Sequence, residues 1–208
     1  HIVEFIFDSE KSSMAAEWIH IESIELTDIS TLSIDEDAFH YSPILYGRDL
    51  LSWNESTHTD IPLIMWHDIS MEGNNKKITY SIIFSNEDSR IGIGLADLMY
   101  SYGRTTDIEW VYEVVLSNSG DIVSEVFQGP SHTTTNFQGN KEGQHPILKN
   151  ATLNCNFSDT GISDYKFFPS PLSTIESNLS RETLMDRNPW TYRIMGEELI
   201  NENRYENE

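Results

Sequence analysis

The chain has 208 residues and carries 34 acidic against 13 basic side chains, a formal net charge of −21 at pH 7. That length can bury a core without disulfides, and the charge repels the phosphates of nucleic acids, so we expect no nucleic-acid partner. Hydrophobic residues make up 38% of the chain, which is too many for a disordered acidic tail. No apolar run reaches the roughly 18 residues of a transmembrane helix. The composition therefore predicts a folded protein without a transmembrane segment.

Short runs of β-branched and aromatic residues, separated by Ser, Asn, Asp and Gly clusters, predict strands along most of the chain. Residues 118–121 lie between two such runs and predict a hairpin turn. The pattern favours a mainly β fold, an antiparallel β-sandwich of the jelly-roll type. The predicted strands are 2–7, 18–26, 43–46, 62–68, 78–84, 107–116, 123–127 and 165–168.

A helix is predicted near the C-terminal end of the chain. Asn188 can cap it and Pro189 suits its first turn. We expect the helix to pack on a sheet through an apolar stripe. The stripe consists of Trp190, Ile194, Met195 and Leu199. Residues 1–200 are predicted to form a single domain, and the acidic residues 201–208 a frayed tail.

Asp107 and Glu109 are the strongest chemical signal in the sequence. Side chains two positions apart on a strand point to the same side, about 6.5 to 7 Å apart. They could bind one hard cation together, or act as acid and base across a water. The alternative is that this face of the strand is solvated and has no function. Strict alternation assigns Val111 and Glu113 to the same face as the pair, and Ile108, Trp110, Tyr112, Val114 and Leu116 to the opposite face.

Two further side chains are candidates for the same site. Arg104 lies just before the carboxylates and could steady an anionic group. His132 follows the predicted hairpin partner, so we expect it near one end of the same sheet, where an imidazole could act as a base.

Other segments offer weaker signals. Cys155 is interpreted as a small buried hydrophobic residue. Asn154 and Asn156 lie in a polar loop that could bind calcium or form an ordinary turn. Gly92-Ile93-Gly94 lacks the third glycine of a dinucleotide site, and we expect no organic cofactor.

The order of several segments resembles the necrosis- and ethylene-inducing-like cytolysins and their vacuolar-sorting-type relatives. The similar segments are 41–46, 78–84, Gly103-Arg104-Thr105-Thr106-Asp107-Ile108-Glu109-Trp110, 131–132 and 145–148, so the match spans about residues 41–160. The resemblance implies a β-sandwich in which an acidic-x-acidic pair begins a central strand and surrounds a divalent cation used in docking to membrane glycolipids. It assigns Asp107 and Glu109 as cation ligands. Arg104, Thr105 and Thr106 stand where the family has histidines, and the paired cysteines of many cytolysins are absent.

Two functions follow from these residues, and the sequence leaves open whether the protein is an enzyme. The first is a secreted protein that binds a glycan or a glycolipid headgroup, assisted by Ca²⁺ or Mg²⁺. The alternative is a hydrolase or lyase that acts on a carbohydrate with Asp107 and Glu109 as acid and base, aided by Arg104 and His132. The absence of an initial Met, the acidic composition and the single cysteine together predict an extracellular location. The oligomeric state is left open.

Overall fold

The computed structural model describes residues 35–48, 61–86, 95–168, 171, 173–175 and 179–201. The strands predicted at 2–7 and 18–26, and residues 202–208 of the predicted tail, lie outside these residues. The single domain predicted across residues 1–200 stays a prediction. In the part of the chain that the structure describes, no helix is long and apolar enough to cross a membrane.

The described residues form two sheets and four α-helices. In chain order the elements are α1 (Glu36–His40), β1 (Ile44–Tyr46), β2 (Pro62–Glu72), β3 (Asn75–Phe84), α2 (Leu95–Tyr102), β4 (Ile108–Leu116), β5 (Ile122–Gly129), β6 (Thr133–Asn136), β7 (Lys141–Glu142), β8 (His145–Asn150), β9 (Phe157–Ser158), β10 (Lys166–Phe167), β11 (Ser173–Thr174), α3 (Thr183–Arg187) and α4 (Trp190–Asn201). The larger sheet has the strand order β11-β2-β3-β4-β5-β6. The smaller sheet has the order β10-β1-β8-β7, and β9 also pairs with β8.

The two sheets form the predicted mainly β sandwich. Most strand pairs are antiparallel, but β1 pairs with β8 and β11 pairs with β2 in parallel. The predicted hairpin joins β4 to β5, and its turn is closed by the amide of Ser117, which donates to the carbonyl of Asp121 at 2.8 Å. Gly120 lies in this turn with φ 84°, a conformation that glycine adopts without steric cost.

An apolar core fills the space between the sheets. The larger sheet contributes side chains from β2 to β5, and the smaller sheet contributes side chains from β1, β8, β9 and β10. Helix α1 is fixed to this core by Tyr80, whose hydroxyl donates to the carbonyl of Ala38 at 2.7 Å. The members of the core include Leu45, Met65, Ile78, Tyr80, Ile82, Phe84, Val111, Tyr112, Val114, Leu116, Phe127, Leu148 and Phe157.

A β-bulge at Val111 changes which side chains of β4 face the core. Tyr80 pairs with Tyr112 and Ser81 pairs with Trp110, so Val111 is an extra residue without a partner on β3. Alternation therefore restarts at the bulge. The prediction that strict alternation runs from residue 107 to residue 116 is wrong for this reason.

Because alternation restarts at the bulge, the side chains at the beginning of β4 face the side opposite to the one predicted. Glu109 pairs with Ile82, and the backbone carbonyl of Asp107 accepts a hydrogen bond from the amide of Phe84. Ile82 and Phe84 both belong to the core, so the two carboxylates beside them face the inner side of the sandwich. Ile108 points the other way and joins an apolar cluster on the outer face of the larger sheet. That cluster, which we call the outer cluster, consists of Trp66, Ile83, Ile108, Leu184 and Met185.

The C-terminal helices pack on this outer face, as predicted for a single helix. Asn188 lies at the boundary of both helices. Its side-chain amide donates to the carbonyl of Leu184 at the end of α3, and its carbonyl accepts from the amide and the hydroxyl of Thr191 at the start of α4. Within the predicted stripe, Met195 is buried but Trp190 is 42% exposed, so Trp190 does not belong to the packed face.

Candidate functional site

Of the two carboxylates predicted as functional, Asp107 is buried and the neighbouring Glu109 is mostly shielded from solvent. Asp107 is 6% exposed and the side chain of Glu109 is 13% exposed. The alternative that this is a solvated face is therefore wrong, because the bulge at Val111 turns the pair inward.

Asp107 is held in surroundings that disfavour its charged form. Burial raises the pKa of its carboxyl group to about 7, and the neighbouring charge of Glu109 acts in the same direction. The Cys155 thiol and the positive charge of Arg104 both lower this pKa and offset part of the effect. The Oδ2 atom of Asp107 is buried and has no well-formed hydrogen bond to a described residue. A buried oxygen in this state is a suitable contact for a water or a cation.

Glu109 is contacted by polar side chains from β5 and from the turn that follows it. The side-chain amide of Gln128 donates to Glu109 Oε2 at 2.5 Å. His132 Nδ1 lies 3.7 Å from Glu109 Oε1. Gln128 is buried, whereas the side chain of His132 is 53% exposed, so the cluster extends from the sandwich interior to solvent.

His132 sits among three amide side chains. Its Nδ1 lies 3.1 Å from the Gln128 amide nitrogen, and its Nε2 lies 3.0 Å from that of Asn154. Its backbone amide donates to Asn156 Oδ1 at 3.4 Å. The protein thus places an amide side chain beside each ring nitrogen of His132 and a third at its backbone amide.

The backbone around the site is strained. Ser131 and His132 have φ values of 60° and 57°, and Cys155 has a φ of 38°. A side chain in this left-handed region costs about 1 to 2 kcal/mol per residue. Among the described residues these are the non-glycine positions with positive φ, and all three lie at the carboxylate cluster. Strain that is concentrated in this way is typical of functional sites.

Arg104 does not take part in the cluster in the way predicted. Its Nε lies 3.0 Å from Glu182 Oε1, and its Nη1 donates to the carbonyl of Thr106. The guanidinium is therefore held on the outer side by α3, although its charge still reaches Asp107. Of the four predicted site residues, the structure brings Asp107, Glu109 and His132 together.

Four further side chains belong to the site and were not assigned to it from the sequence. Gln128, Asn154, Cys155 and Asn156 all lie within contact of the predicted carboxylates or of His132. The interpretation of Cys155 as a buried residue is consistent with the structure, but its thiol also interacts with Asp107. The only signal in the sequence was the polar loop around Asn154, and nothing in that loop pointed to β4.

The oxygen atoms of this site suit a hard cation as ligands. Carboxylate oxygens are the ligands that Ca²⁺ and Mg²⁺ prefer, and Asp107 Oδ2 is available for such a contact. Within the described ranges, no group of three or more His, Cys, Asp and Glu side chains is arranged to hold a metal ion. A cation here would therefore be bound by two carboxylates and would keep water molecules in its shell.

Two solved structures are similar to this chain. Necrosis and Ethylene inducing Protein 2, from the causal agent of cocoa's witches' broom disease, is 14% identical over 67% of this chain and 77% of its own, with a TM-score of 0.42. NLPPya in complex with mannosamine is 12% identical over 64% of this chain and 68% of its own, also with a TM-score of 0.42. Both matches agree with the distant resemblance drawn from the sequence. No protein-family model matches the chain, and no curated protein matches it.

Proposed function

We propose that this protein is a carbohydrate-binding β-sandwich that recognises a glycan or a glycolipid headgroup with the help of a divalent cation at Asp107 and Glu109. The observation that carries the proposal is the joining of this carboxylate pair to His132 and to amide side chains at one end of the sandwich. An extracellular location is part of the proposal, because glycans and glycolipid headgroups are displayed there.

The side chains around His132 match the chemistry of sugar hydroxyls. A hydroxyl both donates and accepts hydrogen bonds, and the amides of Gln128, Asn154 and Asn156 offer both kinds of partner. His132 is half exposed, so a ligand can approach from solvent and reach the polar groups behind it. Few and well-placed polar groups of this kind give a binding site its specificity.

The burial and the mutual repulsion of the two carboxylates support the proposal of a bound cation. Two carboxyl groups in contact cannot both ionise without cost, and burial increases that cost. A bound Ca²⁺ or Mg²⁺ would supply the missing positive charge, with Asp107 and Glu109 as its protein ligands. The cation would then give the sugar hydroxyls a further electrostatic contact.

The alternative, a hydrolase or lyase that uses the same pair, has one observation in its favour and one against it. The raised pKa of Asp107 suits a general acid near neutral pH. However, Asp107 is only 6% exposed, which leaves it little access to the glycosidic oxygen that a general acid must reach. This burial favours binding.

Thermal unfolding and glycan-array binding test the proposal together. We expect CaCl₂ or MgCl₂, added after EDTA treatment, to raise the melting temperature by several degrees, because a ligand at a hundred times its Kd adds about 2.7 kcal/mol. The same cation should increase retention on the array. Glu109→Gln should lose both effects.

Glu113→Gln is the matched control, since it makes the same change on the same strand at a residue that contacts Lys77 and Thr79 instead. Wild-type protein that shows no cation-dependent shift and no glycan retention would rule the proposal out. Cleavage of a labelled oligosaccharide by wild type, lost in Glu109→Gln, would establish the hydrolase instead.

A further inference from the structure

Glu109 lies in the first part of β4 and Asp107 directly precedes this strand; in the described residues this segment is paired with β3 but not with β5. The paired residues of β4 and β5 run from Tyr112 to Leu116. Glu109 and Ile108 pair with β3, but no pairing with β5 extends to them. A strand segment of this kind needs support from another element if its side chains are to stay in place.

That support comes from the C-terminal segment. Thr105 donates its backbone amide to Met195 Sδ at 3.2 Å, and the hydroxyl of Thr106 donates to Met185 Sδ at 3.3 Å. Arg181 donates to the carbonyl of Ile108 at 2.6 Å. Together with the pair between Arg104 and Glu182, these contacts hold four of the five residues from 104 to 108.

The contacts act on the side of the strand away from the site. Arg104 and Thr106 lie just before β4 and contact Glu182 and Met185 through their side chains, and Ile108 joins the outer cluster. Asp107 and Glu109 face inward. Fixing the outward residues therefore fixes the inward ones. The side chain of Arg104 is only 7% exposed and that of Glu182 is 28% exposed, so their ion pair is largely shielded from solvent.

We infer that Glu182 is a positioning residue for the Asp107 and Glu109 pair, and that it acts through Arg104 from the opposite face of the sheet. The inference rests on the proposed function, since it names a determinant of that same site. Residues that hydrogen-bond directly to metal ligands typically change metal affinity by about 10- to 100-fold when they are removed, and Glu182, which acts through Arg104, is expected at the lower end of this range. The C-terminal helices thus control the site without touching a ligand.

The test uses the Gln128 side-chain amide as a reporter, because this amide hydrogen-bonds to Glu109 at 2.5 Å and its NMR resonance depends on where Glu109 lies. Glu182→Ala should change the chemical shift of this amide toward the value of a solvent-exposed glutamine. It should also weaken Ca²⁺ or Mn²⁺ binding about tenfold. Glu182→Gln keeps an oxygen that can accept from Arg104, so it should retain most of both properties and serves if the alanine variant does not fold.

Glu197→Gln is the matched control, because it removes a carboxylate from α4 that pairs only with Arg193 at 3.8 Å among the described contacts. It should leave the Gln128 resonance and the affinity unchanged. A Glu182→Ala protein whose melting temperature falls while its Gln128 resonance stays in place would show a merely structural role and overturn the inference. If wild type binds no cation, the proposed function fails, and the resonance alone still decides the inference.

Discussion

The buried carboxyl group of Asp107 is subject to four opposing influences. Burial and the charge of Glu109 raise its pKa, whereas Cys155 and Arg104 lower it. Because the folded-state pKa of about 7 lies above the ordinary value of 3.8, the folded protein holds this proton more tightly than the unfolded chain does. The stabilisation from the proton is therefore complete below pH 4 and is lost as the pH rises toward 7.

We expect Asp107→Asn to stabilise the cation-free protein at pH 8 and to have little effect at pH 4. An amide is neutral at both pH values and can still donate toward Glu109, so it removes the cost of a buried charge. The difference in unfolding free energy at pH 8 should be about 2 to 4 kcal/mol. Calorimetry in EDTA across this pH range measures it.

Asp164→Asn makes the same change at an exposed residue and should give no difference that depends on pH. If Asp107→Asn instead destabilises the cation-free protein equally at pH 4 and pH 8, then Asp107 acts there as a charged partner, and the account of its burial is wrong.

Single residues of the site could be predicted only in part. The spacing of Asp107 and Glu109 identified the pair, and the position of His132 after β5 placed it near them. Gln128 and Asn156 could not be found, because their contacts depend on where β5 and the loop after β8 lie in space. Ordinary polar residues in a polar chain give no signal until the fold brings them together.

Among the structural elements, the bulge at Val111 determines which side chains of β4 face the core. Without it, the register of β3 and β4 would point the carboxylates outward and Ile108 into the core. The bulge could not be predicted from the sequence, because polar and apolar residues from 107 to 116 alternate almost as regularly as they would in an unbroken strand. Val111 was the weak point in that pattern, as an apolar residue on the face predicted to be polar.

A double-mutant cycle tests the side of the sheet on which Ile108 lies. Ile108→Val should cost about 0.5 to 1.5 kcal/mol of unfolding free energy. Its effect should be coupled to that of Leu184→Ala by about 0.5 kcal/mol or more, because both residues belong to the outer cluster. Urea unfolding of the two single variants and the double variant measures the coupling.

Val114→Ala provides the comparison, because Val114 belongs to the core between the sheets. Its effect should add to that of Ile108→Val within about 0.5 kcal/mol. Coupling to Val114 but not to Leu184 would mean that alternation along β4 is unbroken and that the strand has no bulge at Val111.

The C-terminal helices show that a capping residue between two helices can belong to either of them. Asn188 and Pro189 correctly marked a boundary, but a boundary residue can close the preceding helix as readily as it opens the next one. The sequence offered no clear pattern for α3, which is only five residues long. Short helices are held by packing, here by Leu184 and Met185, and packing is not visible in a local pattern.

For the molecule as a whole, the net charge of −21 sets how stability responds to salt. Self-repulsion of like charges destabilises the compact state, and added salt shortens the range of that repulsion from about 30 Å at 0.01 M to about 10 Å at 0.1 M. We expect NaCl and KCl to raise the melting temperature alike by a few degrees in EDTA at pH 7.5.

The same titration at pH 5 is the control, because the protein is then close to its isoelectric point of about 4.5 and carries less charge to screen. A melting temperature that is independent of salt at pH 7.5 would show that counter-charges within the fold already neutralise the repulsion.

The sandwich itself was the most predictable property of the molecule. Strand periodicity and turn residues act locally, and six of the eight predicted strands lie in the described ranges and match observed strands. The parallel pairing of β1 with β8 could not be predicted, since about a hundred residues separate the two strands. Local patterns define strands, whereas the partners of a strand depend on the whole chain.

The burial of Asn156 bears on how the protein can be produced. Asn150-Ala151-Thr152 and Asn156-Phe157-Ser158 both fit the acceptor sequence for N-linked glycosylation, yet Asn150 and Asn156 are 3% and 2% exposed. A bulky oligosaccharide attached to either asparagine before folding could not be accommodated in the closed sandwich. A eukaryotic secretory host would therefore divide the product between a modified chain that cannot close and an unmodified one that can, whereas a bacterial host would yield the folded form alone.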